Sequence, residues 1–139
     1  MKYVLATWPV VDHYERYKYA KETQKTRLVE LSEGYFLSTE AMKNANPFRI
    51  SRRGEKSHLP STLVVQGTAD ENLPVPVTEQ FVAAYELAGG IIELEIFTGM
   101  AHGFGSNPGP ETDRTVELMK KYVSRCLSGR VGHSDLQLY

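Results

Sequence analysis

The residues Pro60-Ser61-Thr62-Leu63-Val64-Val65-Gln66-Gly67-Thr68-Ala69-Asp70 decide the fold. From 62 to 65 the chain is apolar or β-branched without a break, between a proline and a glycine. A strand with one wet face alternates polar and apolar residues, whereas a continuous run fits a strand covered on both faces, as in a parallel sheet. The pattern predicts a strand over 62–66 and a loop over 67–74. Pro76 then suits a first helical turn, and Val77, Phe81, Ala84, Tyr85 and Ala88 form one apolar stripe at helical spacing. Gly89-Gly90 ends that helix. Over 91–97, Ile92, Leu94 and Ile96 alternate with Glu93 and Glu95, which predicts a second strand near a sheet edge with its glutamates in water. Pro110 opens a last helix, with Glu111 and Asp113 where the helix dipole favours negative charge. Its expected buried stripe is Val116, Met119, Val123 and Leu127, and Gly129 closes it.

Upstream, residues 3–7 read as another apolar strand, ended at Trp8-Pro9 because proline cannot donate to a ladder. Residues 12–46 are polar and helical in character. Helical spacing appears over 26–31, Gly34 interrupts, and Ser38 is an N-cap for a short helix over 39–44. The segment 47–61 is expected to be a connector, and its basic run Arg49, Arg52, Arg53 and Lys56 is read as a solvated loop in preference to an anion site. The order is strand, helical excursion, strand, helix, strand, helix. That order implies an α/β fold with three parallel strands (about 3–7, 62–66 and 91–97), flanking helices and right-handed crossovers. Residues 1–128 are expected to form the folded unit, with 12–46 as a cap-like insertion and 129–139 as a tail.

Composition narrows the function classes. The 139 residues carry 16 basic and 17 acidic side chains, so no global charge draws the chain to nucleic acid or to an anionic membrane. Hydrophobic residues at 41% and charged residues at 24% fit a globular domain and exclude a disordered one. One cysteine, Cys126, excludes an internal disulfide and a cysteine zinc site, and it leans toward a cytoplasmic setting. Cys126 falls near the last helix's stripe and is expected to be a small buried hydrophobe. His13, His58 and His133 are read as surface residues. Because the chain opens directly on a strand, sequence ahead of it is expected.

In open parallel sheets, function collects in the loops beyond the carboxyl ends of the strands. Two such loops stand out: Gln66-Gly67-Thr68-Ala69-Asp70-Glu71-Asn72-Leu73-Pro74, and Thr98-Gly99-Met100-Ala101-His102-Gly103-Phe104. They place Asp70 and His102 at one end of neighbouring strands. An aspartate that accepts a histidine's Nδ1–H fixes the tautomer and stabilises the charged ring. Taken singly, Asp70 reads better as a turn former and His102 as an ordinary loop residue; taken as a pair at the ends of successive strands, the acid–base reading is favoured.

The stretch from Leu59 to Phe104 resembles the C-terminal part of the α/β-hydrolase fold, in its esterase/lipase and prolyl oligopeptidase-like branches. The resemblance rests on Gly67, Asp70, Leu73 and Pro74 in a Gly-x-x-Asp-x-x-hydrophobic-Pro pattern, and on Gly99, His102, Gly103 and Phe104 in Gly-x-x-His-Gly-Phe. It implies Asp70 as a triad acid, His102 as a triad base, a small ester as substrate and no cofactor or metal. It also implies that residues 3–11 hold the sixth strand of that fold and that 12–46 shape a substrate pocket. Trp8, Leu73 and Phe104 are the expected substrate-binding residues, with simple packing the other reading of Trp8. Tyr14, Tyr17 and Tyr19 either face substrate or form a structural cluster. No serine of the sequence has glycine two residues away on both sides, so the nucleophile elbow of that fold is missing. Ser106, four residues after His102, reads as turn chemistry. A chain of this kind is expected to be inactive alone. Its open first strand suits an N-terminal partner chain or a homo-oligomer. The alternatives are a non-catalytic interaction domain and the equivalent piece of an oligopeptidase-like serine peptidase.

Overall fold

Three apolar runs and their spacers fold as the patterning dictates. In the computed structural model, which describes residues 2–54 and 58–129, β1 (Tyr3–Thr7) is followed by four helices. These are α1 (His13–Glu22), α2 (Thr26–Phe36), α3 (Thr39–Asn44) and α4 (Pro47–Arg52). Then come β2 (Ser61–Ala69), α5 (Val75–Leu87), β3 (Ile92–Ala101) and α6 (Pro110–Leu127). The strands form one parallel sheet in the order β1-β2-β3.

The continuous run of β2 is covered on both faces, as its composition requires. Val64 packs with Leu73, Phe81, Tyr85 and Ile92 on the α5 side, while Leu63 and Val65 pack with Phe97, Phe104 and Tyr122 on the α6 side. Each such buried side chain contributes roughly 2 kcal/mol of transfer free energy. The stripe of α5 does its expected work through Phe81 and Tyr85, whose hydroxyl donates to Pro60 O at 2.6 Å, although Ala88 at its end is exposed.

Two strands run further than their apolar patterns. β2 continues through Gly67 and Thr68 to Ala69, and β3 through Gly99 to Ala101. Glycine normally weakens a strand, but here the Met100 backbone lies where a Gly67 side chain would be: a Cβ would stand 1.9 Å from Met100 O. The glycine permits the close pairing that lengthens both strands.

Other expectations are corrected. Helix α2 runs through Gly34 to Phe36, since one glycine costs a helix only about 1 kcal/mol. The connector contains α4, begun by Asn46 as N-cap and Pro47 in the first turn. The basic run is therefore helical over Arg49 and Arg52, and of its described members Arg52 and Arg53 are exposed while Arg49 is not solvated as expected. Arg49 reaches inward to the buried Asp12 (Nε to Oδ2, 3.1 Å) and to Glu15 at 3.6 Å. Lys56 lies outside the described residues. Asp12 also caps α1, accepting from Tyr14 N and Glu15 N, and accepts from Asn46 Nδ2, so one carboxylate ties α1 to α4.

Helix α6 is rotated from its apolar stripe. Thr115 and Tyr122 are buried, with Leu118, Met119 and Cys126 packed on the same core, while Val116 is 43% and Leu127 65% exposed. Val116, Met119, Val123 and Leu127 line an open groove with Leu5 of β1. The polar face of β3 is turned toward α6, where Glu93 pairs with Arg125 at 2.6 Å and Glu95 with Arg114 at 3.7 Å. That rotation sets both arginines over the glutamates, which are only half in water.

Two tyrosines of the excursion are engaged by neighbouring charged side chains. Tyr14 lies under Lys18, Lys43 and Arg49, and the buried Tyr17 donates to Glu33 at 2.7 Å. His13 is not a surface residue: its ring packs 4.9 Å from Phe36, and its Nδ1 is buried without a partner among the described residues. His58 is exposed, and His133 and the tail over 130–139 lie outside the described residues. Among the described residues, no helix is long and apolar enough to cross a membrane.

Two outcomes follow from these contacts. Gly67→Ala is expected to cost roughly 3 kcal/mol in chemical denaturation through overpacking against Met100, whereas Gly109→Ala, with open space around its Cβ, should be near neutral. Burial lowers the His13 pKa below its usual value, so the unfolded chain binds the proton more readily. Stability should fall as pH drops below about 6.5; His13→Phe should flatten this acid limb when denaturation midpoints are compared across pH.

Candidate active site

The extended pairing of β2 and β3 builds the site. Partners differ by 30 in number from Thr62↔Ile92 to Gly67↔Phe97, and then a shift leaves Ala69 opposite Ala101. Between the last two couples β2 has one residue, Thr68, and β3 three, Thr98 to Met100, so β3 bulges; Gly99 sits there at φ 75 and its N–H donates to Thr68 Oγ1 at 2.7 Å. At the earlier spacing Met100 would stand beside Asp70. With the bulge, Asp70 and His102 each follow one member of a paired couple and leave adjacent strands side by side.

Asp70 makes two kinds of contact at once. Its Oδ1 accepts from Asn72 N at 2.8 Å and from Leu73 N at 3.2 Å, which is the turn-forming role. Its Oδ2 lies 3.0 Å from His102 Nδ1. The carboxylate side chain is 2% exposed and the imidazole 31%. A buried carboxylate held by two backbone amides has one oxygen left, and that oxygen fixes the His102 ring. The ring nitrogen Nδ1 then carries the proton. The other, Nε2, has no partner among the described residues and is a proton acceptor at the partly open side of the pair.

Trp8 joins this end of the sheet from β1. Its N–H donates to Val65 O, and its backbone turns there at φ 40. The indole meets Phe104 edge-on at a centroid distance of 5.2 Å, and Phe104 packs on Phe97 at 5.1 Å. Gly105 leaves room for this stack, since a Cβ there would come within 2.7 Å of the indole. Trp8 thus braces the turn after His102. Phe104 is buried beneath it, and Ser106 ends that turn with its N–H donating to Gly103 O. Leu73, expected at a substrate surface, is a core residue: it is 1% exposed and packs with Val64, Phe81 and Tyr85. Burial leaves Leu73 and Phe104 almost no surface to offer a ligand.

Two further residues hold the Asp70 loop. Gln66, fully buried, donates from Nε2 to Leu73 O at 2.8 Å. A polar residue closing an apolar strand was the signal for it. Lys25, from the turn between α1 and α2, donates to Glu71 O at 2.7 Å. Nothing in local spacing marks that contact, which joins residues 46 apart. Among the described residues, no group of three or more histidine, cysteine, aspartate or glutamate side chains is placed to hold a metal.

A model of the prolyl oligopeptidase family matches residues 1–130. The chain belongs to that family. No curated protein matches it significantly. Among solved structures it is similar to a thermophilic esterase from the planctomycete Thermogutta terrifontis with propionate bound, at 23% identity and a TM-score of 0.63. That match covers 96% of this chain and 45% of the esterase. The butyrate-bound form matches at 27% identity and TM-score 0.56, over 76% of this chain and 36% of the esterase. Esterase 2 of the same organism phosphonylated by sarin matches at 25% identity and TM-score 0.58, over 77% and 37% of the two chains. This family member therefore spans less than half the length of the esterases it matches, and its three strands and flanking helices are part of an α/β-hydrolase fold.

The double duty of Asp70 makes its removal costlier than that of its partner. Asp70→Ala strands two loop amides and is expected to lose about 2 kcal/mol in urea denaturation, with His102→Ala below about 1 kcal/mol.

Proposed function

We propose that this chain carries the acid and the base of a serine hydrolase acting on carboxylic esters. The observation that supports it most is the 3.0 Å contact of His102 Nδ1 with a buried Asp70 at the ends of adjacent parallel strands. In the proposed reaction a serine Oγ attacks the acyl carbonyl while His102 Nε2 takes its proton. Asp70 keeps the Nδ1 proton bonded and stabilises the imidazolium. The tetrahedral adduct collapses, His102 returns the proton to the leaving alcohol, and an acyl-serine remains. Water then attacks with His102 again as base, releasing acid and free serine. This route needs no metal or organic cofactor.

In this reading the serine and the oxyanion donors come from polypeptide outside these 139 residues, since no serine here sits in a Gly-x-Ser-x-Gly elbow. The open edge of β1 and the apolar groove formed by Leu5, Val116, Met119, Val123 and Leu127 would receive that polypeptide. Residues 1–128 would act as the C-terminal part of the hydrolase domain, with 12–46 as its cap, in a cytoplasmic enzyme. Propionate and butyrate in the similar esterases support a short acyl group, with Trp8 beside it. The family's description favours a second reading, in which the leaving group is a peptide amine.

The chain alone is expected to show no turnover of p-nitrophenyl butyrate above background. Turnover that His102→Ala abolishes would overturn this. The coding sequence around Met1 tests the rest: a Gly-x-Ser-x-Gly in frame ahead of it, or in a separate chain that co-purifies with this one, supports the reading, and the absence of both sinks it. In the longer product His102→Ala should lower kcat on the order of 10,000-fold. The ratio of butyrate ester to peptide p-nitroanilide turnover decides between the two leaving groups.

A further inference from the structure

We infer that Lys25 is a positioning residue for the Asp70–His102 pair, acting from the helical excursion through the single peptide group that joins Glu71 to Asn72. The inference rests on reading that pair as acid and base. The carbonyl of this peptide accepts from Lys25 Nζ at 2.7 Å, and its N–H donates to Asp70 Oδ1 at 2.8 Å. Asp70 Oδ2 then meets His102 Nδ1 at 3.0 Å. A hydrogen-bonded line thus runs from an ammonium through one peptide group and one carboxylate to the imidazole.

Direction matters in such a line. A cation on the carbonyl oxygen polarises the peptide and makes its N–H a stronger donor to the carboxylate. It also fixes the plane of that peptide, and with it the oxygen that Asp70 has to spend on its own loop. The other Asp70 oxygen is then left facing His102.

Lys25 is prepared for this position. Gln24 before it has φ 56, a left-handed conformation that a residue with a side chain adopts at some cost. Lys25 N donates to Ala20 O at 2.8 Å, and its Nζ lies 5.7 Å from the centre of the Tyr19 ring. The side chain is 24% exposed, far less than the Glu71 side chain at 79%. The Glu71 carboxylate also meets Nζ, at 3.0 Å. Such an exposed ion pair contributes little, so the main-chain leg is assigned the effect.

The test is proton exchange in the 139-residue chain, followed by NMR at the Asn72 amide and the His102 Nδ1 proton. Lys25→Met keeps the aliphatic stem and removes the charge. It should speed exchange at both protons about tenfold, the loss of one charge-assisted hydrogen bond. Lys25→Arg should restore slow exchange, and Glu71→Gln, which keeps the main-chain acceptor, should match the parent. Unchanged exchange in Lys25→Met overturns the inference. So does equal acceleration of the covered β2 amides Val64 and Val65, which would assign Lys25 to global stability. A parent chain with no slowly exchanging His102 proton would instead overturn the acid–base pairing itself, and the role of Lys25 with it.

Discussion

The pairing of β2 with β3 beyond Gly67 is the constraint on which the rest depends. Up to that glycine the two strands form an ordinary ladder, with Val64 and Val65 covered on either side. Past it the Met100 backbone lies against the glycine, β3 bulges between Phe97 and Ala101, and Ala69 comes opposite Ala101. A shift of two residues moves a side chain along the strand by about 7 Å while keeping it on the same face. That is the distance between a histidine one strand-end away from the aspartate and one in contact with it. The site is thus a by-product of strand register, set by a residue with no side chain.

Around this register the structure spends its buried polar groups on holding loops. Asp12, fully buried, gathers two α1 amides, Asn46 and Arg49, and so ties α1 to α4. Asp70 does the same for its own loop while reserving one oxygen for His102. Gln66 supports that loop from the strand below and Lys25 from the excursion above. Buried polar groups carry a cost unless they are satisfied. Here each satisfied contact around the Asp70 loop also removes a degree of freedom from Asp70.

How much was legible follows from how local each signal is. The three strands were readable because continuous and alternating apolar runs report burial residue by residue. The helices α5 and α6 were readable because proline and glycine mark their ends. The α6 stripe was misread because four apolar residues at helical spacing name a face without saying what covers it. In the structure Tyr122, fully buried, takes the core position, and Val116 and Leu127 remain open beside β1. Leu73 was misread for a related reason. Its place in the Gly-x-x-Asp-x-x-hydrophobic-Pro pattern put it near the chemistry, while its side chain belongs to the core beneath.

By itself the sequence determined the alternation of strands and helices, the parallel sheet, and the two loops in which Asp70 and His102 lie. These follow from short-range patterns of hydrophobicity and from the fixed backbone preferences of glycine and proline. Only the tertiary structure decided that those loops meet. The offset between strands is a property of two segments thirty residues apart, and a bulge changes it without altering either segment's pattern. Only the tertiary structure, likewise, turned Lys25 toward Glu71 and α6 away from its apolar stripe. Long side chains and helix faces choose partners by what the completed sheet brings within reach.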